Sequence, residues 1–145
     1  PVLEPGRYLI ADAGVLLTRV LARKPSVSKD FVVVDAAMND LVRPALYGAE
    51  HPIQPLRADL AGTCHCDIVG PVCESGDFLA RDRDLPMVDA GDLLAVCQAG
   101  AYGQSMASNY NSRRRPAEVL VDGSEARLIR RQESFEDLWS TEVDL

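Results

Sequence analysis

The chain has 145 residues, of which 47% are hydrophobic and 26% charged, and 15 basic against 22 acidic side chains give a formal net charge of −7. That is one globular domain's worth of chain, long enough for a sizeable core. The acidic balance argues against a general nucleic-acid binder, and no run of about 18 apolar residues is present to span a membrane.

PVLEPGRYL at the N-terminus has neither the basic nor the apolar region of a signal peptide. The four cysteines, Cys64, Cys66, Cys73 and Cys97, then read as reduced thiols rather than a disulfide framework. Glu4-Pro5-Gly6-Arg7 reads as a turn, because proline fixes φ and glycine allows close backbone approach. The planar fork of an arginine behind it suits a phosphate or a carboxylate; a solvated arginine on a surface turn fits the same residues.

Tyr8–Ala13 suits a short helical turn. Val15–Lys24 alternates loosely and predicts a strand, although its Leu, Ala and Arg content also tolerates a helix. A polar turn around Pro25 leads to Phe31–Val34, whose β-branched and aromatic residues predict a buried strand, so the two form a hairpin. Leu41–Tyr47 predicts one or two helical turns with Pro44 near the start. Arg43 and Tyr47, four apart, then share a face. They read either as a carboxylate clamp or as a surface cation beside a half-buried phenol.

His51–Leu56 is extended, since residues before proline avoid the α region. With no evident orienting group, His51 reads as a structural hydrogen bonder more readily than as a base. Leu60–Gly70 predicts another strand, which would put Cys64 and Cys66 on one face. The single-residue gap in Cys64-His65-Cys66 is tighter than structural zinc pairs use, so no metal site is expected.

Gly70–Pro86, GPVCESGDFLARDRDLP, holds the most informative pair, Cys73-Glu74. A thiol beside a carboxylate at a strand end, among small polar neighbours, can exchange a proton or attack an electrophile once its surroundings tune it. Taken alone, the residue reads more readily as a buried free cysteine at a strand end. Phe78–Leu85 mixes both charges and reads as a solvated segment. Leu93–Cys97 predicts a buried strand. In Ala99–Asn111, Gly100 and Gly103 flank Tyr102, suggesting a flexible loop that presents a phenol, or an ordinary turn with a packed tyrosine. Arg113-Arg114-Arg115 lacks interleaved aromatics and reads as a solvated turn, not a nucleic-acid site. Asp122-Gly123 predicts a hairpin between Ala117–Val121 and Ala126–Arg131. Ser134, with Asp137 three residues on, predicts the N-cap of a last helix.

Several stretches in chain order carry a resemblance: EPGR at Glu4–Arg7, DAAMNDLVRPALYGA at Asp35–Ala49, CESGDFLA from Cys73, and GDLLAVCQAGAYGQSMASNYNSRRRPAEVLV at Gly91–Val121. Together they resemble the diaminopimelate decarboxylases, pyridoxal-phosphate enzymes of lysine biosynthesis with the fold-type III, alanine racemase-like architecture. The resemblance implies a mainly β C-terminal barrel or sandwich domain with a few short helices, residues 1–13 being the tail of a (β/α)8 barrel and residues 14–145 the β domain. The rest of that TIM barrel, with its Schiff-base lysine, would be missing.

The implied reaction turns meso-2,6-diaminopimelate into L-lysine and CO2 in the cytoplasm. The resemblance makes Cys73 the proton donor and assigns Glu4, Pro5, Gly6, Arg7 and Tyr102 to pyridoxal 5'-phosphate. It assigns Arg7, Arg43, Tyr47, Glu74 and Tyr102 to the small-molecule substrate. It also implies a homodimer in which Cys73-Glu74 completes the partner's active site, and an isolated chain without activity. Sister decarboxylases of ornithine, arginine or carboxynorspermidine share EPGR and the tyrosine loop, and a non-catalytic homologue acting as an interaction partner shares the fold. CESGDFLA and RPALY resemble the diaminopimelate enzymes more.

Overall fold

The alternating run beginning at Val15 forms β1, Leu16–Lys24, with Thr18 and Val20 turned inward. The computed structural model describes residues 2–3 and 5–143, divided into two compact units, Pro1–Ala107 and Ser108–Leu145.

In the first unit, α1 (Gly6–Ile10) and a 3-10 turn (Ala11–Ala13) precede β1. The strands β2 (Asp30–Val34), β3 (Ile53–Pro55), β4 (Thr63–Val69), β5 (Phe78–Pro86) and β6 (Leu93–Val96) follow, with α2 (Arg43–Tyr47) between β2 and β3. All six strands join one sheet in the order β3-β6-β1-β2-β4-β5. β1 is long enough to pair antiparallel with β6 through its first half and with β2 through its second. A register shift between Val20 and Ala22 falls within the pairing with β2, and such a bulge sharpens the local bend. β2 and β4 are parallel, so the chain between them must cross from one end of the sheet to the other; α2 lies on that crossing and packs against β5.

The core lies inside this curled, barrel-like sheet. Val20, Val32, Val34, Ile68, Leu79, Leu85, Leu94 and Val96 meet there, with Ile53 of β3 against them. Full burial of each such side chain contributes about 1.5–3 kcal/mol. Cys64 and Cys66 share the inner face, as the strand pattern implies, while His65 points outward to Asp84 at 3.0 Å. Burial, then the neighbouring Cys64, pushes the Cys66 thiol up to about 12. No group of three or more His, Cys, Asp or Glu able to hold a metal occurs among the described residues.

Phe78–Leu85 is not merely a solvated segment: it is most of an edge strand that buries Leu79, Ala80 and Leu85. Register shifts between Cys66 and Ile68 and between Ile68 and Val69 break the alternation, and Asp82 adopts φ +51°. Arg81, Asp82 and Asp84 are exposed, and Lys29 reaches both Asp67 and Asp82 at 2.9 Å, whereas Arg83 stands opposite Cys66 with its Nε buried.

In the second unit, β7 (Glu118–Asp122) and β8 (Glu125–Arg130) form the expected hairpin, with Gly123 at φ +59° in the turn. α3 (Phe135–Trp139) starts at Ser134 in a capping box closed reciprocally with Asp137. The arginine run is not simply solvated either. The Arg115 guanidinium and backbone N–H both donate to the Glu133 carboxylate, which also takes Asn109 Nδ2 at 2.6 Å. Arg114 stacks 4.5 Å from the Phe135 ring centroid. Burial pushes Glu133 up, yet these donors outweigh it and hold the carboxyl below its ordinary range. Among the described residues no helix is long and apolar enough to cross a membrane.

Candidate active site

The loop after β6 brings Tyr102 back to the N-terminal turn. Ala99 N donates to Gly14 O at 2.9 Å and Gly100 N to Ala11 O at 3.1 Å. The backbones approach so closely that a Cβ on residue 100 would lie 2.1 Å from Ile10 O. Gly103 is equally confined: a Cβ there would lie 2.4 Å from Ala99 O. The glycines flanking Tyr102 therefore serve close packing rather than the flexibility expected of them. Tyr102 itself sits at φ +61°, a conformation that costs a non-glycine residue energy and persists only where its surroundings impose it.

So placed, the Tyr102 hydroxyl lies beside Gly6: a Cβ there would be 3.8 Å from it. The Arg43 guanidinium stands 5.8 Å from the Tyr102 ring centroid. Its buried Nη1 has no hydrogen-bond partner among the described residues, and a buried donor without a partner costs free energy until something accepts from it. His51 is 1% exposed, and its Nδ1 lies 2.9 Å from Cys97 O. A carbonyl only accepts, so Nδ1 carries the proton and the orphaned Nε2 is a lone pair. Burial lowers the His51 pKa; the Cys97 bond opposes that, and the charges of Arg43 and Arg7 lower it further. Sequence reasoning left His51 without an orienting group because Cys97 is far along the chain.

On the other flank of α2, the loop from Gly70 to Asp77 carries Cys73 and Glu74, both exposed. It is folded by its own backbone: Glu74 N donates to Val72 O at 2.8 Å and Asp77 N to Glu74 O at 3.0 Å. A Cβ on Gly76 would touch Glu74, Ala45 of α2 and Met38 at 3.8–3.9 Å. Gly6, Arg43 and Tyr102 thus gather on one side, with Arg7 and Arg43 both felt by His51, while Cys73 and Glu74 occupy a loop against Met38 and Ala45. Tyr47, at the far end of α2, is 64% exposed although Arg43 is partly buried. Pro5 is exposed beside Gly6, and Glu4 lies outside the described residues.

This combination of sheet, tyrosine loop and Cys-Glu loop has known counterparts. Residues 7–100 match the family model described as the pyridoxal-dependent decarboxylase C-terminal sheet domain. The chain belongs to this family. Among its relatives, the diaminopimelate decarboxylase of Pseudomonas aeruginosa is 57% identical over 97% of this chain and 34% of its own length. That of Neisseria meningitidis serogroup B is 56% identical over 98% and 34%. A crystal structure from Aquifex aeolicus superposes with a TM-score of 0.93 at 46% identity, covering 96% of this chain and 34% of the other. Helicobacter pylori diaminopimelate decarboxylase complexed with L-lysine gives 0.88 at 46% identity, with 95% and 34% covered. The chain thus spans about a third of the length of these relatives, and its mainly β architecture is that of the family's C-terminal sheet domain.

Proposed function

We propose that this chain is the C-terminal domain of a diaminopimelate decarboxylase, converting meso-2,6-diaminopimelate to L-lysine and CO2 as part of a full-length cytoplasmic enzyme. Residues 1–13 belong to the end of the barrel domain and residues 14–145 to the β domain. The observation that carries the reading is the identity above 55% to enzymes of that name over nearly the whole chain. The donor set fits an anionic ligand: Arg43 Nη1 is buried and unpartnered, and the Tyr102 hydroxyl faces the Gly6 backbone.

Pyridoxal phosphate, when bound, supplies the electron sink for the bond broken in decarboxylation. Tyr102 and the Glu4-Pro5-Gly6-Arg7 turn hold that cofactor. Arg7, Arg43 and Tyr47, with Tyr102, grip the substrate, and the arginines select for a distal carboxylate because substrates lacking one leave a buried guanidinium unpaired. Glu74 accepts the distal ammonium. Cys73 Sγ holds the proton delivered after CO2 departs. Arg43 of α2 stands beside Tyr102 while Ala45 approaches the Cys73-Glu74 loop, and in this reading the loop completes the partner's site in a homodimer.

Neither lysine of this chain is suited to carry the cofactor. Lys24 is exposed at the end of β1, and the hydrogen bonds Lys29 donates to Asp82 and Asp67 raise its pKa and keep it a cation. The isolated chain is therefore expected to be inactive and to bind pyridoxal phosphate without saturation. The deciding assay is lysine formation by the full-length enzyme with Cys73→Ala alongside. A fall of about 100-fold or more in the variant supports the assignment. Turnover of ornithine, arginine or carboxynorspermidine in place of diaminopimelate overturns the substrate, and full activity in the variant overturns the role of Cys73.

A further inference from the structure

We propose that Asp77 is the positioning residue of the Cys73-Glu74 loop, its carboxylate setting where that loop stands relative to α2. Asp77 is 5% exposed. Its Oδ1 accepts from Met38 N at 2.7 Å and its Oδ2 from Val72 N at 2.6 Å. Neither bond belongs to the sheet, and the two donors lie on segments distant in sequence. Its backbone serves the same loop, with N–H to Glu74 O at 3.0 Å and C=O from Gly70 N at 3.1 Å.

Cys73 and Glu74 thus sit between two points, Val72 and Asp77, that one side chain ties to a third, Met38. Met38 opens the turn leading into α2, and that turn is itself pinned: Ala37 N donates to Asp40 Oδ2 at 2.9 Å and Leu41 N to Ala37 O at 3.3 Å. No cation pairs with Asp77 among the described residues, so its carboxylate is devoted to backbone donors. Such charge-assisted bonds are short and directional, and they hold geometry more tightly than neutral ones. Gly70 makes room for it: a Cβ there would lie 2.4 and 2.5 Å from the two carboxylate oxygens. The loop lies against Met38 and Ala45, and the bond from Met38 N to Asp77 fixes its height there. The functional consequence rests on Cys73 and Glu74 working as proposed above, whereas the tether does not.

The test uses the full-length enzyme with Asp77→Asn, Asp77→Ala and Gly70→Ala. Amide hydrogen exchange is followed on peptides covering residues 36–41 and 70–77, with β1 and β6 as internal references. Asp77→Asn keeps one accepting oxygen and Asp77→Ala neither, so exchange accelerates in both segments together, by about tenfold for Asn, the weight of one charge-assisted bond, and more for Ala. Gly70→Ala, which displaces the carboxylate without removing it, reproduces the paired change and keeps the test open should Asp77→Ala not fold. kcat falls in the same order as exchange rises. Acceleration in one segment only, or a loss of kcat with exchange unchanged, overturns the proposal. Full turnover in Cys73→Ala brings down the functional reading instead, and paired exchange still decides the tether.

Discussion

Replacing Gly100 by alanine separates packing from backbone strain at the site. Gly100 has no positive φ, so an alanine meets no intrinsic conformational penalty there. Its Cβ, however, would stand 2.1 Å from Ile10 O, 2.7 Å from Gly14 N and 3.0 Å from Ala11 O. Every one of these neighbours is backbone and none can rotate away, so the 99–103 loop must lift by about 1 Å to reach ordinary contact distances. Overpacking of this kind costs about 1–3 kcal/mol. Lifting also stretches Ala99 N to Gly14 O and Gly100 N to Ala11 O, each worth about 1 kcal/mol. The expected loss is about 2–5 kcal/mol, a large part of a typical domain stability of about 5–15 kcal/mol. Gly48→Ala is the comparison: nothing lies within 4 Å of its Cβ and its φ is +62°, so it costs only about 1–2 kcal/mol of left-handed strain. Thermal denaturation of both full-length variants, with the KM for diaminopimelate, measures the contrast. Gly100→Ala should melt lower and bind substrate more weakly, because Tyr102 moves with the loop. If Gly100→Ala melts at or above Gly48→Ala and keeps its KM, the close approach does not hold Tyr102 in place.

Three further outcomes follow from particular groups. His51 is neutral when folded, with a lowered pKa, whereas the unfolded chain protonates it near its ordinary value. Its contribution is therefore complete above about pH 6.5 and is lost as the pH falls, by up to about 1.4 kcal/mol per unit. Denaturant midpoints between about pH 7 and 5 should fall in the wild type and flatten in His51→Gln; equal slopes refute the assignment. Alkylation with peptide mapping should modify exposed Cys73 first and Cys97 more slowly. Cys64 and Cys66 should react only on unfolding, and early labelling of either contradicts the inward face of β4. Ser134→Ala removes the side-chain half of the capping box at a cost of about 1 kcal/mol. Faster exchange should appear in α3 and its first turn, and unchanged exchange there would refute the cap.

The residue types alone determined much of this protein. Phe31–Val34 and Leu93–Val96 are strands because β-branched and apolar runs of that length suit little else, and the Asp122-Gly123 turn and the Ser134–Asp137 box are local devices that work wherever the chain carries them. The ordered motifs, from EPGR through CESGDFLA to the tyrosine loop, made the family legible. What the tertiary structure decided are relations between distant segments. Phe78–Leu85 looked merely solvated because this edge strand exposes three of its four charges and its register slips break the alternation. Gly100 and Gly103 looked flexible because nothing in AGAYGQ reveals that Ile10, Ala11 and Gly14 come to press on one and Ala99 on the other. Arg115 looked solvated although Glu133 awaits it. Asp77 was only one more polar residue after the Cys-Glu pair. The reason is common to all four: propensity and pattern act over a turn or two of chain, whereas the donor a carboxylate reaches, or the carbonyl a glycine must clear, is set by which distant segments the tertiary fold brings together.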